Sequence, residues 1–362
     1  MFQITEFVNR RARWGLVALM AGLVSVPSLS RADADPPRLG MMLATTDVVA
    51  VGTVVAVDTQ SDTATINVTH RIVGASPDTV TVPADGANPE GHPFEVGQRL
   101  LAFLKIIAGG QGSTHAPVSL GAIFRLSEAT EAATVQLASL VIPSPGPTLG
   151  AVAPFLTETG AKPSLDFVAI VLYELSARDL SSQGGLLSQI VCDTTGTYRH
   201  GARLWAIRDA GPRQIATARG CLASLVRGAM PTRANPLGGN MEIGVAAAVA
   251  LGEDPAVESD AALRAVMKLC LKKVRTEDTL QPPGLLLETA LALGKIHSLG
   301  APGLLYKAAL KSPMVPIAST AVHALGLIGD ARAVSYLARL APKHPNPIIR
   351  EQAATAAALF GV

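Results

Sequence analysis

Ala292-Leu293-Gly294-Lys295-Ile296 returns 32 residues later as Ala324-Leu325-Gly326-Leu327-Ile328, and again, degraded, as Ala357-Ala358-Leu359-Phe360. A repeat of this length is one pair of helices. It is too small to bury its own apolar face, so successive pairs must stack into a solenoid-like array. In the last complete unit, Ala321, Ala324, Leu325 and Ile328 stand at i, i+3, i+4 and i+7, the stripe of one helix face. Gly329 is placed to take the left-handed position after that helix, and Asp330 to cap the next one. Val334, Leu337, Ala338 and Ala341 repeat the stripe on the second helix. In the preceding unit Gly300 is the expected stopper and Pro302 the first helical residue. Ala292, Ala324 and Ala356, with Gly294 and Gly326, are matched small residues that let helix backbones approach closely. Gly361 and Val362 offer the last helix no clear polar cap, so that end of the array is expected to be open to contact.

Working back from this stretch, periodicity predicts helices at 165–179, 201–209, 212–227, 241–251, 261–274, 284–297, 302–311, 316–328, 331–341 and 347–360. Residues 143–163 hold Pro143, Pro145, Pro147, Pro154 and Pro163 with three glycines, and read as a linker. Before it the period changes to two. Strands are expected at 47–58, 63–73, 78–82, 99–106 and 118–126, with Ala64, Ile66, Val68 and His70 on one face of the second. Turn signals separate them at 74–77, 83–93 and 108–117. A few short antiparallel strands close most economically into a small barrel, which leaves no exposed edge. The expected class is α+β and multidomain: a small antiparallel β-barrel at 41–142, the linker at 143–163, and an α-helical repeat domain at 164–362.

Residues 1–34 have the form of an export signal. Arg10, Arg11 and Arg13 precede an apolar run from Trp14 to Val26, and Ala32-Asp33-Ala34 is a cleavage pattern. The run is shorter than the roughly 20 residues that span a bilayer, so cleavage is expected over a stable membrane span. Arg10-Arg11 fits a twin-arginine signal poorly, and no Cys stands at the cleavage site to anchor a lipid. The expected location is periplasmic or extracellular. The full chain has 30 basic and 28 acidic residues. The signal takes four and two of these, leaving 26 of each, and a neutral chain gives no global pull towards nucleic acid. Cys192, Cys221 and Cys270 are odd in number, so at least one is unpaired within the chain. All three stand among apolar residues and are expected as small buried hydrophobes, with a Cys192–Cys221 bridge as the alternative.

Two resemblances add to this. Ala292-Leu293-Gly294-Lys295-Ile296 and Ala324-Leu325-Gly326-Leu327-Ile328-Gly329-Asp330 resemble HEAT repeats of the short bacterial kind, also found in phycobilisome lyases. Ala250-Leu251-Gly252-Glu253-Asp254 fits at a longer spacing of 42 residues. The resemblance covers 283–362 and extends more loosely over 238–282. Asp47-Val48-Val49, Gly52-Thr53-Val54, Val73-Gly74 and 94–104 (FEVGQRLLAFL) resemble the netrin-like, OB-type barrel of tissue metalloproteinase inhibitors. Those inhibitors chelate zinc through an N-terminal Cys, and 41–142 contains none.

No catalytic, cofactor or metal motif stands in the chain: no H-E-x-x-H, C-x-x-C, G-x-S-x-G or P-loop. The seven histidines lack ligand spacing. His297 and His323 fall in adjacent repeats but have no third ligand. The Gly-rich 108–113 lacks the Lys and helix of a phosphate loop and reads as a hairpin loop. One pattern remains. Arg332, Tyr336, Arg339 and Lys343 form one polar helix face. Lys307 and Lys311 stand 32 residues before Arg339 and Lys343, and Lys268 and Lys272 repeat the i, i+4 pair one helix pair earlier. The HEAT resemblance implies that second helices line a concave surface. There these residues would form a basic ladder flanked by Tyr306 and Tyr336, a groove for an acidic peptide, an anionic polymer or an anionic headgroup. Plain solvation of a helix face, helped by the helix dipole, is the reading that comes before this one, since surface charge runs ordinarily serve solvation. The expectation is an exported, non-enzymatic protein-binding or scaffolding module without cofactor. The alternatives are a protease-modulating role through the barrel and a bilin-lyase-like activity implied by the repeat type.

Overall fold

The runs 48–51 (VVAV) and 100–104 (LLAFL) are apolar without alternation, which a strand sustains only when both its faces are buried. The computed structural model of the protein gives the reason. It describes residues 39–83, 94–109, 112–117, 122–142, 148–178, 180–230, 239–273 and 283–361. The chain divides into two units, Met1–Pro37 and Arg38–Val362. The first, with the expected signal, lies outside the described residues. The second holds every element among the described residues.

A short helix α1 (Leu39–Thr45) leads into six strands: β1 (Val48–Asp58), β2 (Thr63–Val73), β3 (Thr79–Pro83), β4 (Arg99–Gly109), β5 (Gly112–Pro117) and β6 (Ile123–Leu126). They form one antiparallel sheet in the order β3-β2-β1-β4-β5, with β6 added on β4. The ladder is open: among the described residues no pairing joins β3 to β5, although the two strands come close. Val48, Ala50, Leu100, Ala102 and Leu104 share one apolar cluster with Ala64, Ile66 and Val68. Val49, Val51, Leu101 and Phe103 point the other way, into a second cluster shared with the helices. Both faces of β1 and β4 are therefore core.

Two strand expectations change. The expected turn at 108–117 is largely the β4–β5 hairpin, with Gly109 opposite Gly112; of the strand expected at 118–126, β6 is described and 118–121 lie outside the described residues. His70 is exposed, away from the face of Ala64, Ile66 and Val68. Pairing runs from Gly52 opposite Val68 to Val51 opposite His70, so Thr69 is an extra residue. Its hydroxyl donates to the Val51 carbonyl at 3.1 Å. This bulge reverses the in–out phase until the next register shift, where Val49 pairs with Val73 and Ile72 is the extra residue.

A helix the periodicity did not reveal, α2 (Glu128–Val141), buries Leu137, Ala138 and Val141. Two others follow the 143–163 segment: α4 (Leu165–Ser176), after the single turn α3 (Leu149–Val152), and the unanticipated α5 (Gly184–Val191). The described part of the expected linker is anchored in the core. Leu149 and Val152 are fully buried, and Leu156 is 1% exposed. The Ser164 amide donates to the buried Thr134 hydroxyl at 2.9 Å. Phe167 on α4 meets Phe103 and Phe124 of the sheet, with centroids 6.4 and 5.6 Å away. Sheet and helices thus share one hydrophobic core within a single unit; Pro154 stands in the 3-10 turn Ala153–Leu156, and Pro143, Pro145 and Pro147 lie outside the described residues.

The remaining helices are α6 (His200–Ala210), α7 (Arg219–Gly228), α8 (Met241–Leu251), α9 (Val257–Lys273), α10 (Pro283–Lys295), α11 (Pro302–Lys311), α12 (Val315–Ile328), α13 (Ala331–Lys343) and α14 (Pro347–Ala358). They pack in two rows. α6, α8, α10, α12 and α14 each touch the next in that series, and α7, α9, α11 and α13 do the same. A helical region of this kind is compatible with an α-solenoid. The small residues mark the first row. A Cβ on Gly294 would lie 2.8 Å from the Ala324 Cα, and one on Gly252 2.8 Å from the Ala292 Cα. Gly211 makes the same approach to Ala250, at 2.6 Å, one rung earlier than the sequence signature reaches.

Gly329 has φ of 63° and Asp330 accepts from the Ala333 amide at 2.7 Å, as the sequence requires. The preceding unit differs. His297, with φ of 50°, takes the left-handed position expected of Gly300. Gly300 instead makes room for the Arg264 side chain. Cys192 and Cys221 are half-buried and joined in a disulfide, with Cα atoms 5.2 Å apart. Only Cys270 is the buried small hydrophobe expected of all three.

Candidate partner-binding face

Two populations of basic side chains stand out in the array. The first is held in ion pairs with carboxylates. Arg219 at the start of α7 places Nε and Nη2 on the two carboxylate oxygens of Asp254, which is 3% exposed and also accepts from the Ala256 amide and the Ser259 hydroxyl. Arg213 pairs with Asp209 at 2.6 Å, Arg264 with Asp260 at 2.9 Å, and Lys295 with Glu253. Arg219–Asp254 and Lys295–Glu253 tie successive rungs together, whereas Arg213–Asp209 and Arg264–Asp260 are i, i+4 pairs.

The second population is the ladder. Lys268 and Lys272 lie on α9, Lys307 and Lys311 on α11, and Arg332, Arg339 and Lys343 on α13, and all seven are exposed. These three helices are consecutive members of the second row. Val266, Leu305 and Leu337 are fully buried at corresponding places. Lys268, Lys307 and Arg339 each follow two residues later, about 200° around the helix and so on its outer side. Lys272, Lys311 and Lys343 follow one further turn on. None of the seven has an ion-pair partner among the described residues. α11 and α13 contain no Asp or Glu at all.

Tyr306 and Tyr336 lie inside this ladder. Their rings stack across α11 and α13 with centroids 4.6 Å apart and 18° between planes. The Arg339 guanidinium lies over the Tyr336 ring, 5.7 Å from its centroid, a cation–π contact that orients the arginine. All nine residues singled out by spacing thus stand on three successive helices of one row, and the ring contacts join Tyr306, Tyr336 and Arg339.

Other features fall short of a site. Among the described residues no group of three or more His, Cys, Asp or Glu could hold a metal. His297 lies just beyond α10, and His323 is exposed on α12. A shallow hollow of about 440 Å³ between the sheet and α2 is lined by His70, Arg99, Glu128 and Glu131. Arg99 and Glu131 neutralise one another there at 2.8 Å. The Asp193 carboxyl is a structural anion that the sequence reading missed. Burial pushes it up, but the amides of Tyr198, Thr195 and Thr197 and the Thr195 hydroxyl outweigh that and hold it down at about 2. Its loop is clasped to the 156–161 segment: Arg199 donates from Nε to the Thr157 carbonyl and from Nη2 to that of Ala161.

No known family model matches the chain, and no curated protein matches its sequence. Among the described residues no helix is long and apolar enough to cross a membrane.

Proposed function

We propose that this chain is an exported, non-enzymatic binding or scaffolding protein, in which a HEAT-like solenoid presents the basic ladder of α9, α11 and α13 to an acidic segment of a protein partner. One observation carries the reading: among the described residues, seven exposed cations stand on three adjacent helices without an acidic partner, while Arg213, Arg219, Arg264 and Lys295 of the same array are each paired with a carboxylate. Exposed surfaces ordinarily intersperse both signs of charge, so a one-sign face is best explained by a complementary anion.

The two-row helix packing supports the solenoid. The approach of β3 to β5 supports an OB-like closure of the sheet. The Cys192–Cys221 bridge supports export, because disulfides persist in oxidising compartments. A protein partner is favoured over nucleic acid because the chain after signal removal is formally neutral and the positive field is local.

Charge reversal tests the proposal. Each exposed pair contributes up to about 1 kcal/mol, so Lys307→Glu, Arg339→Glu and Lys343→Glu together are expected to weaken partner capture by about tenfold or more. The measurement is quantitative crosslinking and recovery from the exported fraction, with a matched triple reversal elsewhere on the surface as control. Equal recovery of the same partners by the wild type and the ladder variant would overturn it.

A further inference from the structure

The spacing of the ladder specifies the form of its ligand. We infer that the face takes an acidic peptide in the polyproline II conformation, with a carboxylate at every third residue. The inference rests on the acidic-partner reading above and adds a register to it.

The cations form two columns. Lys268, Lys307 and Arg339 make one, and Lys272, Lys311 and Lys343 the other. Within a helix the columns are about 6 Å apart, four residues at the helical rise. Between packed helices the step is about 8–10 Å. The ligand must therefore present negative charge on one side at that interval over three rungs. An extended strand reaches about 10 Å in three residues, but residues i and i+3 then point to opposite faces. Polyproline II has three residues per turn and rises about 9 Å per turn, so i, i+3 and i+6 share one side. Seven residues, with acidic side chains at the first, fourth and seventh, span all three rungs.

The tyrosines fit the same ligand. Polyproline II segments dock on aromatic surfaces, where the preformed, low-entropy helix packs its flat faces. The stacked Tyr306 and Tyr336 rings bridge the second and third rungs, and Arg339 is held beside them. An acidic α-helix could place charges at i and i+7, also about 10 Å apart, but it would need fifteen residues to cover three rungs and would gain nothing from the aromatic pair.

The test is fluorescence anisotropy with the full exported chain and labelled synthetic peptides. The peptide EPPEPPEPP is expected to bind about tenfold or more tightly than EEEPPPPPP of the same composition. It is also expected to outcompete a helical peptide with Glu at every seventh position. Lys307→Glu with Arg339→Glu should abolish the preference, and Tyr306→Ala should weaken EPPEPPEPP more than EEEPPPPPP. Equal binding of the two proline peptides, both lost on charge reversal, overturns the register but leaves the ladder as an acidic-peptide site. Tighter binding of a single-stranded oligonucleotide or of phosphatidylserine vesicles overturns both readings, as does binding of every probe unaffected by charge reversal or no binding at all.

Discussion

Gly294 and Gly326 occupy the same place in the same Ala-Leu-Gly motif, yet the structure gives their replacement by alanine opposite outcomes. A Cβ at Gly294 would lie 2.8 Å from the Ala324 Cα, 2.9 Å from its Cβ and 3.2 Å from its carbonyl oxygen. Carbon atoms prefer separations of about 3.5–4.0 Å, so α10 and α12 would have to part by most of an ångström. Neither can yield freely, since α12 also packs against α11, α13 and α14. Overpacking of this kind costs about 1–3 kcal/mol. A Cβ at Gly326 would meet only the Ala356 Cβ, at 3.6 Å, an ordinary contact. There the loss of glycine's conformational freedom should dominate and stabilise by about 0.5–1 kcal/mol. That favourable effect operates at both sites, so Gly294→Ala is left destabilised by about 0.5–2 kcal/mol and the two variants differ by about 1–3 kcal/mol. Thermal unfolding should order the melting temperatures Gly326→Ala, wild type, Gly294→Ala, separated by about 2–4 °C per kcal/mol at most in a chain this long. Because arrays unfold in parts, amide exchange should show the Gly294→Ala loss concentrated in α10 and α12. Equal shifts of the two variants, or stabilisation by Gly294→Ala, would refute the close first-row packing from which this ordering is derived.

The remaining predictions concern the Asp193 loop and the disulfide beside it. Because the folded Asp193 carboxyl titrates at about 2 rather than its ordinary 3.8, its stabilisation is complete above the ordinary value and is lost as pH falls from there through about 2. A shift of that size corresponds to about 2 kcal/mol, which solvent screening near the surface trims to about 1 kcal/mol. Asp193→Asn should lose that increment at pH 7 and flatten this part of the acid-unfolding curve, and an unchanged curve would remove the assignment. Thiol titration of the chain unfolded without reductant should count one cysteine, Cys270, and three after reduction; three reactive thiols before reduction would exclude the bridge. Replacing Cys192 and Cys221 by serine opens a loop with a sequence separation of 29, and should cost about 3.6 kcal/mol by the chain-entropy estimate, read as a lower midpoint in urea.

Local sequence is most informative where one residue type has one conformational use. Gly329 and Asp330 can be assigned because a left-handed stop followed by a cap has few other spellings. The spacing of the ladder can be read because a 32-residue period fixes which side chains become neighbours. The misses share a different cause. Gly211 approaches Ala250 as Gly294 approaches Ala324, but longer connections stretch the spacing between the earlier rungs and hide the repeat. Pro143 to Pro163 looks like a spacer because composition does not say whether Leu149, Val152 and Leu156 find a surface to cover. Strict alternation puts His70 on the wrong face because a bulge at Thr69 depends on the partner strand. The Cys192–Cys221 bridge depends on the meeting of two helix ends separated by α6, which no spacing announces.

The ladder is also the place where the solvation alternative can be weighed physically. Lys311 and Lys343 sit in the last turns of α11 and α13, where a cation is favoured by the helix dipole. That account does not reach Lys307 and Arg339, one turn earlier, and it is reversed for Arg332, in the first turn of α13 at the positive end of the dipole. Like charges at i and i+4 repel by a few tenths of a kcal/mol on an isolated helix, and the face keeps three such pairs: Lys268 with Lys272, Lys307 with Lys311, and Arg339 with Lys343. Glutamate at alternate positions would relieve the repulsion and solvate the helices equally well. The same chain places carboxylates opposite Arg213, Arg219, Arg264 and Lys295, so acidic partners are supplied elsewhere in the array. A surface that accepts a small loss of stability on three successive helices, in register, is what an anion-binding face requires before its ligand arrives.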